Sequence, residues 1–225
     1  RWRYWNRWWS PATKASPTSL VNVRTISNYT RLVLRNPKSY EPARGGSFVY
    51  ISVPAALGTD EAHAMTVALR GAPPSFSPGD KRIASRHQEE FFTLYIKDLG
   101  PWTGALRSVA NGAEVSDDPK SLLVDVDGFY THVTSFNTMM VGGAGRIVVV
   151  AGGSGATSLM GFIQDWCVAA SAGSAVPAVH FVWCCRSMQE MELVGESLPS
   201  MLASAGSKKD SHFTMSLYCT SSKVW

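Results

Sequence analysis

The spacing of apolar residues changes partway along the chain. From Val21 to about Phe136 they fall in short β-branched or aromatic runs, separated by clusters of Pro, Gly, Asn and Asp. Arg31-Leu32-Val33-Leu34-Arg35 alternates and closes at Asn36-Pro37, and Ser47-Phe48-Val49-Tyr50-Ile51-Ser52-Val53 stops at Pro54. Phe91-Phe92-Thr93-Leu94-Tyr95-Ile96-Lys97 is a third run, and Leu122 to Val126 a fourth. Runs of this length bounded by turn residues predict an antiparallel barrel or sandwich, since side chains of a strand alternate between its faces. Between Arg70 and Glu90 proline, serine and charge dominate, which predicts a surface excursion.

Beyond Arg146 the pattern becomes that of an α/β unit. Arg146-Ile147-Val148-Val149-Val150-Ala151 runs into Gly152-Gly153-Ser154-Gly155-Ala156-Thr157-Ser158, and a helix-like apolar stretch follows from Leu159 to Ala170. Ala178 to Ser187 predicts the next parallel strand, buried on both faces and ending in the cation Arg186. Met188 to Ala203 predicts helix, and His212 to Thr220 another strand. Glycines between strand and helix let the backbone approach a phosphate, and the first N–H groups of the helix supply donors at its positive end. Gly152, Gly153 and Gly155 are therefore candidate phosphate-binding positions, although a tight strand-to-helix turn also needs glycine for steric reasons alone.

Composition narrows the function classes. The chain has 225 residues and is 45% hydrophobic, enough for one core or two modest ones. No run reaches the roughly 18 apolar residues of a membrane span. The net charge of +4 is concentrated near the start, at Arg1, Arg3, Arg7 and Lys14, and does not suggest a nucleic-acid surface. Cys167, Cys184, Cys185 and Cys219 lie in apolar runs without metal-ligand spacing, so no metal site is expected. They are expected to be reduced, buried thiols in a reducing compartment. Adjacent Cys184 and Cys185 would point to opposite sheet faces and are poor disulfide partners. No triad or carboxylate dyad stands out, so no catalytic acid–base residue is nominated.

The first residues, Arg1-Trp2-Arg3-Tyr4-Trp5-Asn6-Arg7-Trp8-Trp9, place Trp2, Trp5 and Trp9 on one helical face. Tryptophan with arginine suits a lipid headgroup boundary, while an arm packed on a partner or on the chain's own domain is the other reading. Ser10-Pro11 to Ser16-Pro17 reads as a linker. The expected division is an arm and linker over 1–20, a strand-rich domain over 21–136 and a nucleotide-binding domain over 145–225.

Four segments ahead of the glycine turn carry a resemblance. They are Gly46-Ser47-Phe48-Val49-Tyr50-Ile51, His63-Ala64-Met65-Thr66, Ile96-Lys97-Asp98-Leu99-Gly100-Pro101-Trp102-Thr103-Gly104-Ala105-Leu106, and Val126-Asp127-Gly128-Phe129-Tyr130. In this order, from about Val21 to Thr220, the chain resembles the ferredoxin-NADP reductase superfamily, and within it the dehydrogenase module of NADPH oxidases and ferric reductases. The resemblance implies an antiparallel β-barrel of the FAD-binding type followed by an α/β parallel-sheet nucleotide-binding domain. His63 to Thr66 then matches a His-Pro-Phe-Thr motif, with Thr66 bonding the isoalloxazine edge and His63 touching the ring or the ribityl-phosphate chain. Gly100, Trp102 and Thr103 would lie along the flavin pyrophosphate, and Val126 to Tyr130 would be the turn joining the domains. Arg186 would meet the ribose 2′-phosphate of NADPH, which suits a guanidinium at the carboxyl end of a strand. Without the resemblance these positions read as a strand-end histidine, a strand threonine, a Gly-Pro turn capped by Thr103, a core tryptophan and a solvated arginine.

The sequence departs from the family at several points. In the family's Gly-x-Gly-x-Thr-Pro turn, whose threonine matches Thr157 and implies a cofactor contact there, Ser158 replaces the proline and Ser154 an aliphatic residue, while Ala64-Met65 replaces a Pro-Phe pair. After Thr220 the family continues to a Cys-Gly-Pro segment and a terminal aromatic region that do not occur before Trp225. The second domain is thus expected to lack its C-terminal end, or to have lost the part that aligns hydride donor and acceptor. Two functions stay open. One is an FAD-dependent NAD(P)H oxidoreductase passing electrons from NADPH through FAD to a membrane haem or another one-electron acceptor. The other is a reductase-derived accessory subunit of a membrane-associated complex, such as a mitochondrial respiratory complex, with catalysis reduced or lost. Both place the chain at a membrane, facing the cytosol or the mitochondrial matrix. The arm would contribute to docking on a membrane protein or complex.

Overall fold

The structure is a computed structural model that describes residues 16–18, 20–36, 45–71, 91–116, 122–130, 145–195, 197–205 and 213–220. The tryptophan-rich arm and most of the expected excursion before Glu90 lie outside the described residues. Seven strands form one antiparallel sheet: β1 (Ser16–Thr18), β2 (Leu20–Ile26), β3 (Tyr29–Arg35), β4 (Phe48–Ser52), β5 (His63–Arg70), β6 (Phe91–Lys97) and β7 (Val124–Tyr130). Their spatial order is β1-β7-β4-β5-β6-β3-β2. The two ends of that order, β1 and β2, are separated in sequence only by Ser19, so the sheet closes on itself as a barrel.

Strand parity explains the two faces. Leu32 and Leu34 of β3, with Phe92, Leu94 and Ile96 of β6, fill the barrel. Tyr29 and Tyr95, on the opposite parity, join a separate cluster with residues of the second domain. Helix α1 (Pro54–Leu57) starts on the proline that ends β4. Helix α2 (Pro101–Ser116) sends Trp102, Leu106, Ala110 and Ala113, spaced for one helical face, into the barrel core.

The second domain is a three-stranded parallel sheet ordered β10-β9-β8, made of β8 (Arg146–Gly152), β9 (Ala178–Cys185) and β10 (Phe213–Cys219). Helix α3 (Gly155–Ser171) buries Phe162, Ile163 and Trp166 against Phe181 and Trp183 of β9. A 3₁₀ turn (Met188–Met191), α4 (Glu192–Gly195) and α5 (Leu198–Ala205) follow β9.

Several expectations need correction. Ser16–Thr18 is not linker but strand β1, paired antiparallel with Val124–Val126. Val126 to Tyr130 is not a turn. Gly128 takes a φ of +74°, and the pairing with β4 shifts between Phe48 and Tyr50, so a bulge lets β7 continue. The Met188–Ala203 helix is broken, with Gly195 ending one piece and Pro199 in the first turn of the next. Ala178–Cys185 is buried on one face rather than two: Val179, Phe181, Trp183 and Cys185 face the helices, and the alternate residues are half-buried. Not all the thiols are buried. Cys184 falls on the less covered face, and Cys219 is exposed at the end of the outermost strand.

Candidate functional site

The two domains meet where α3 lies along β5. A helix repeats a face every three to four residues and a strand every two, so a row on one can match a row on the other. Ser158, Gly161 and the pair Gln164 and Asp165 oppose Thr66, Ala68 and Arg70. The hydroxyls of Ser158 and Thr66 are 3.4 Å apart. Gly161 permits the closest approach, because a Cβ there would lie 3.2 Å from the Gly45 Cα and 3.6 Å from the Ala68 carbonyl oxygen. Gln164 completes a two-way bond with the Arg70 backbone: the Arg70 N–H donates to Oε1 at 2.9 Å, and Nε2 donates to the Arg70 carbonyl at 2.7 Å. Arg70 and Asp165 add an ion pair. Beneath this row, Ile26, Tyr29, Ala68, Leu69 and Tyr95 of the barrel share one apolar cluster with Met160 and Leu193 of the second domain.

A second polar link crosses the same boundary. Lys97 ends β6, and its ammonium lies 2.9 Å from Glu190 Oε1, with side-chain exposures of only 15% and 3%. The other carboxylate oxygen of Glu190 accepts the Arg186 N–H at 3.1 Å. The ammonium also lies 5.5 Å from the centre of the Tyr29 ring. Burial, followed by the nearby Glu190 and Cys185, pushes the Tyr29 phenol well above its ordinary range, so it stays neutral.

The glycine turn stands directly beside this link. Gly153 has a φ of +50°, and a Cβ on it would sit 3.7 Å from the Lys97 ammonium. Its N–H donates to the Cys184 carbonyl at 2.8 Å, and its carbonyl accepts from Trp183 Nε1 at 3.0 Å, which anchors the turn to β9. A Cβ on Gly152 or Gly155 would meet nothing within 4 Å. The Thr157 hydroxyl donates to the Ser154 carbonyl at 2.8 Å and is thus used within the turn. Arg186 is exposed just beyond β9, at the carboxyl edge of the sheet, without an ion pair among the described residues.

On the barrel side, the His63 ring lies 4.2 Å from the Trp102 ring, centre to centre, which joins the start of β5 to the start of α2. His63 Nε2 is 3.0 Å from Glu61 Oε1. Trp102 is 8% exposed, and its Nε1 has no hydrogen-bond partner among the described residues. Thr103 folds its hydroxyl back on the turn, accepting from the Leu99 and Gly100 N–H groups at 2.9 and 3.0 Å and donating to the Gly100 carbonyl at 3.0 Å. Thus His63, Trp102 and the Gly100–Thr103 turn form one group. Thr66 meets α3 at Ser158, and the glycine turn meets the barrel through Lys97.

This arrangement fits a flavin and a dinucleotide. Open space lies at two of the turn's glycines, a cation faces the third, and a buried indole N–H beside His63 is left to donate. Sequence reasoning missed the contacts that cross the boundary: Lys97–Glu190, Arg70–Asp165, Gln164 and Ser158. Lys97 was visible as a charge ending an apolar run, and Ser158 as a departure from the expected proline. Nothing local marked Glu190, whose partner is 93 residues away.

A family model described as the ferric reductase NAD binding domain matches residues 145–224. Dual oxidase 2 of Rattus norvegicus is 27% identical over 194 residues, which cover 83% of this chain and 11% of that protein. NADPH oxidase 3 of Homo sapiens is 32% identical over 138 residues, covering 58% of this chain and 23% of that protein. The chain is thus similar in sequence to NADPH oxidases over most of its length. It spans well under half the length of these relatives. Among solved structures, the CS-b5R domains of human Ncb5or in the NAD+ form give a TM-score of 0.64 at 14% identity, covering 96% of this chain and 55% of that one. A mutant ferredoxin-NADP+ reductase from Plasmodium falciparum with 2'P-AMP gives 0.61 at 10% identity, covering 93% and 76%. The fold is that of the ferredoxin-NADP reductases: an antiparallel FAD-binding-type barrel followed by an NAD-binding α/β domain.

Proposed function

We propose that the chain is an FAD-dependent NAD(P)H oxidoreductase module that passes electrons from NADPH through FAD to a one-electron acceptor at a membrane. One observation carries this reading: Thr66, on the flavin side, lies against Ser158, in the first turn of the helix that begins at the glycine turn. The matches to a ferric reductase NAD binding domain and to NADPH oxidases support FAD and NAD(P)H as the cofactors. When bound, FAD accepts a hydride from the nicotinamide and releases the electrons singly.

The residues bind and orient. Thr66 would hydrogen-bond the flavin edge, His63 and Trp102, whose rings are in contact, would line its barrel side, and the turn that Thr103 holds at Gly100 would run along its pyrophosphate. Gly152, Gly153 and Gly155 admit the dinucleotide pyrophosphate, with Thr157 bracing the turn. Arg186 faces the ribose 2′-phosphate and gives the preference for NADPH. No side chain needs to move a proton in hydride transfer. The apolar joint of Tyr29, Leu69, Met160 and Leu193 excludes water and holds the two binding surfaces at a fixed separation.

The membrane location rests on the resemblance to oxidase modules and on the tryptophan-rich arm. No helix among the described residues is long and apolar enough to cross a membrane. The test is anaerobic addition of NADPH to the FAD-loaded chain. The flavin absorbance should bleach at one NADPH per flavin, and more slowly with NADH. A chain that retains no FAD, or whose flavin stays oxidised, would overturn the reading in favour of an accessory subunit.

A further inference from the structure

Cys185 and Cys219 occupy the last rung of the parallel pairing between β9 and β10. In-register neighbours on adjacent strands point to the same face, with Cα atoms about 4.8 Å apart. That separation lies within the roughly 4.4–6.8 Å that a disulfide spans. The two thiols differ in access: Cys185 is 1% exposed, whereas Cys219 is open to solvent. Cys219 ends its strand, so its backbone can adjust where an interior rung could not. Cys184 points to the other face, opposite Gly152 and Tyr218, and Cys167 is buried in α3.

We infer that Cys185 and Cys219 are a reversible redox pair, in which a hydroperoxide oxidises the exposed thiol and the buried one closes it to a disulfide at the edge of the nucleotide site. Cys219 Sγ attacks the terminal peroxide oxygen and the O–O bond breaks. The sulfur keeps that oxygen as a sulfenic acid, and the thiol proton leaves with the rest of the hydroperoxide as water or an alcohol. Cys185 Sγ then displaces that oxygen, and its proton departs with the oxygen as a second water. The net change is two thiols oxidised by two electrons and one hydroperoxide reduced by two. Burial pushes the Cys185 thiol up, with Cys219 and Glu190 adding to the shift, so the exposed Cys219 and not Cys185 is the thiol that meets the oxidant.

The pair is wired to Arg186. The Cys219 thiol lies 3.7 Å from the Arg186 carbonyl as a donor, and the Thr220 N–H donates to the Cys185 carbonyl at 2.9 Å. A disulfide removes the first bond and tethers the residue immediately before Arg186 to β10. It therefore shifts the turn that presents the guanidinium, and affinity for a 2′-phosphate falls several-fold. This consequence rests on the proposed role of Arg186.

The experiment treats the full chain with hydrogen peroxide, unfolds it in guanidinium so that N-ethylmaleimide alkylates every remaining thiol, and reads the intact mass. Two thiols should escape alkylation and return with dithiothreitol, and digestion should link the peptide ending at Arg186 to the one containing Cys219. Cys219→Ser, at an exposed position, should abolish the link, and Cys184→Ser should keep it. No protected thiols, a link that Cys184→Ser removes, or a link that survives Cys219→Ser would overturn the pair. Titration with adenosine 2′,5′-bisphosphate, before and after oxidation, reads the consequence separately. Failure of the reduced chain to bind it overturns the role of Arg186 and leaves the mass result to decide the pair.

Discussion

Replacing Glu190 by Met removes one partner of a buried ion pair and leaves the Lys97 ammonium without its counter-charge in a side chain only 15% exposed. Breaking such a pair costs about 3–5 kcal/mol, because the remaining charge is desolvated and unpaired. Partial access of Lys97 to water favours the lower end, about 3 kcal/mol. For a chain of this size each kcal/mol shifts Tm by roughly 2–4 °C, so Glu190→Met should melt roughly 6–12 °C below wild type. The double variant Lys97→Met with Glu190→Met removes both charges and should recover most of the loss. About 1 kcal/mol should stay lost, because the Arg186 N–H no longer has its acceptor. Thermal melts followed by circular dichroism give the cycle. Arg70→Met supplies a contrast: its pair with Asp165 is more exposed, at 32% and 23%, and should contribute no more than about 1 kcal/mol. A single Glu190→Met shift no larger than that of Arg70→Met would refute the reasoning. So would a double variant whose loss equals the sum of the two singles, since the residues would then not be coupled.

Three further outcomes are expected. Arg186→Ala should weaken reduction by NADPH while leaving NADH nearly unchanged, seen as a collapse of the ratio of kcat/KM values; an unchanged ratio places the 2′-phosphate elsewhere. Gly161→Val should loosen the domain joint, because its side chain meets backbone at Gly45 and Ala68 rather than a side chain that can move. Limited proteolysis should then cut between the domains faster than in wild type. Stability should fall as pH rises through the window from about 9 to about 11, because burial raises the Cys167 thiol from 9.0 to about 11. In that window the unfolded chain has lost the proton that the folded chain keeps, so unfolding is favoured; below it the contribution is fully present. Tyr29 and Cys185 act in the same direction. Cys167→Ala should make the fall of the denaturation midpoint across that range shallower, and an unaltered profile would contradict the assignment.

The elements that could be read from sequence are those whose limits are set by residues of strong local preference. Phe91–Lys97 is one, an apolar run closed by a charge, and the glycine turn with its helix is another. The elements that could not be read depend on distant partners. Ser16-Pro17-Thr18 has the composition of a linker and becomes strand only because β7 offers an open edge. Gly128 looks like a turn residue, and it is the realigned pairing with β4 that makes it a bulge. Likewise, motif resemblance pointed to His63, Thr66, Trp102 and Arg186, because each sits in a local run of recognisable spacing. The contacts that join the two domains, from Ser158 to Thr66 and from Lys97 to Glu190, link residues more than 90 apart in sequence and belong to tertiary structure alone.

In the proposed module, a nicotinamide held at the start of α3 faces a flavin held on β5 closely enough for direct hydride transfer. Anaerobic stopped-flow mixing of the FAD-loaded chain with NADPH carrying deuterium on one or the other face of the nicotinamide C4 tests it most directly. The account predicts flavin bleaching that is slowed by deuterium on one face and not on the other, since a fixed cleft presents a single face. Bleaching indifferent to either label, or no bleaching at all, would contradict it.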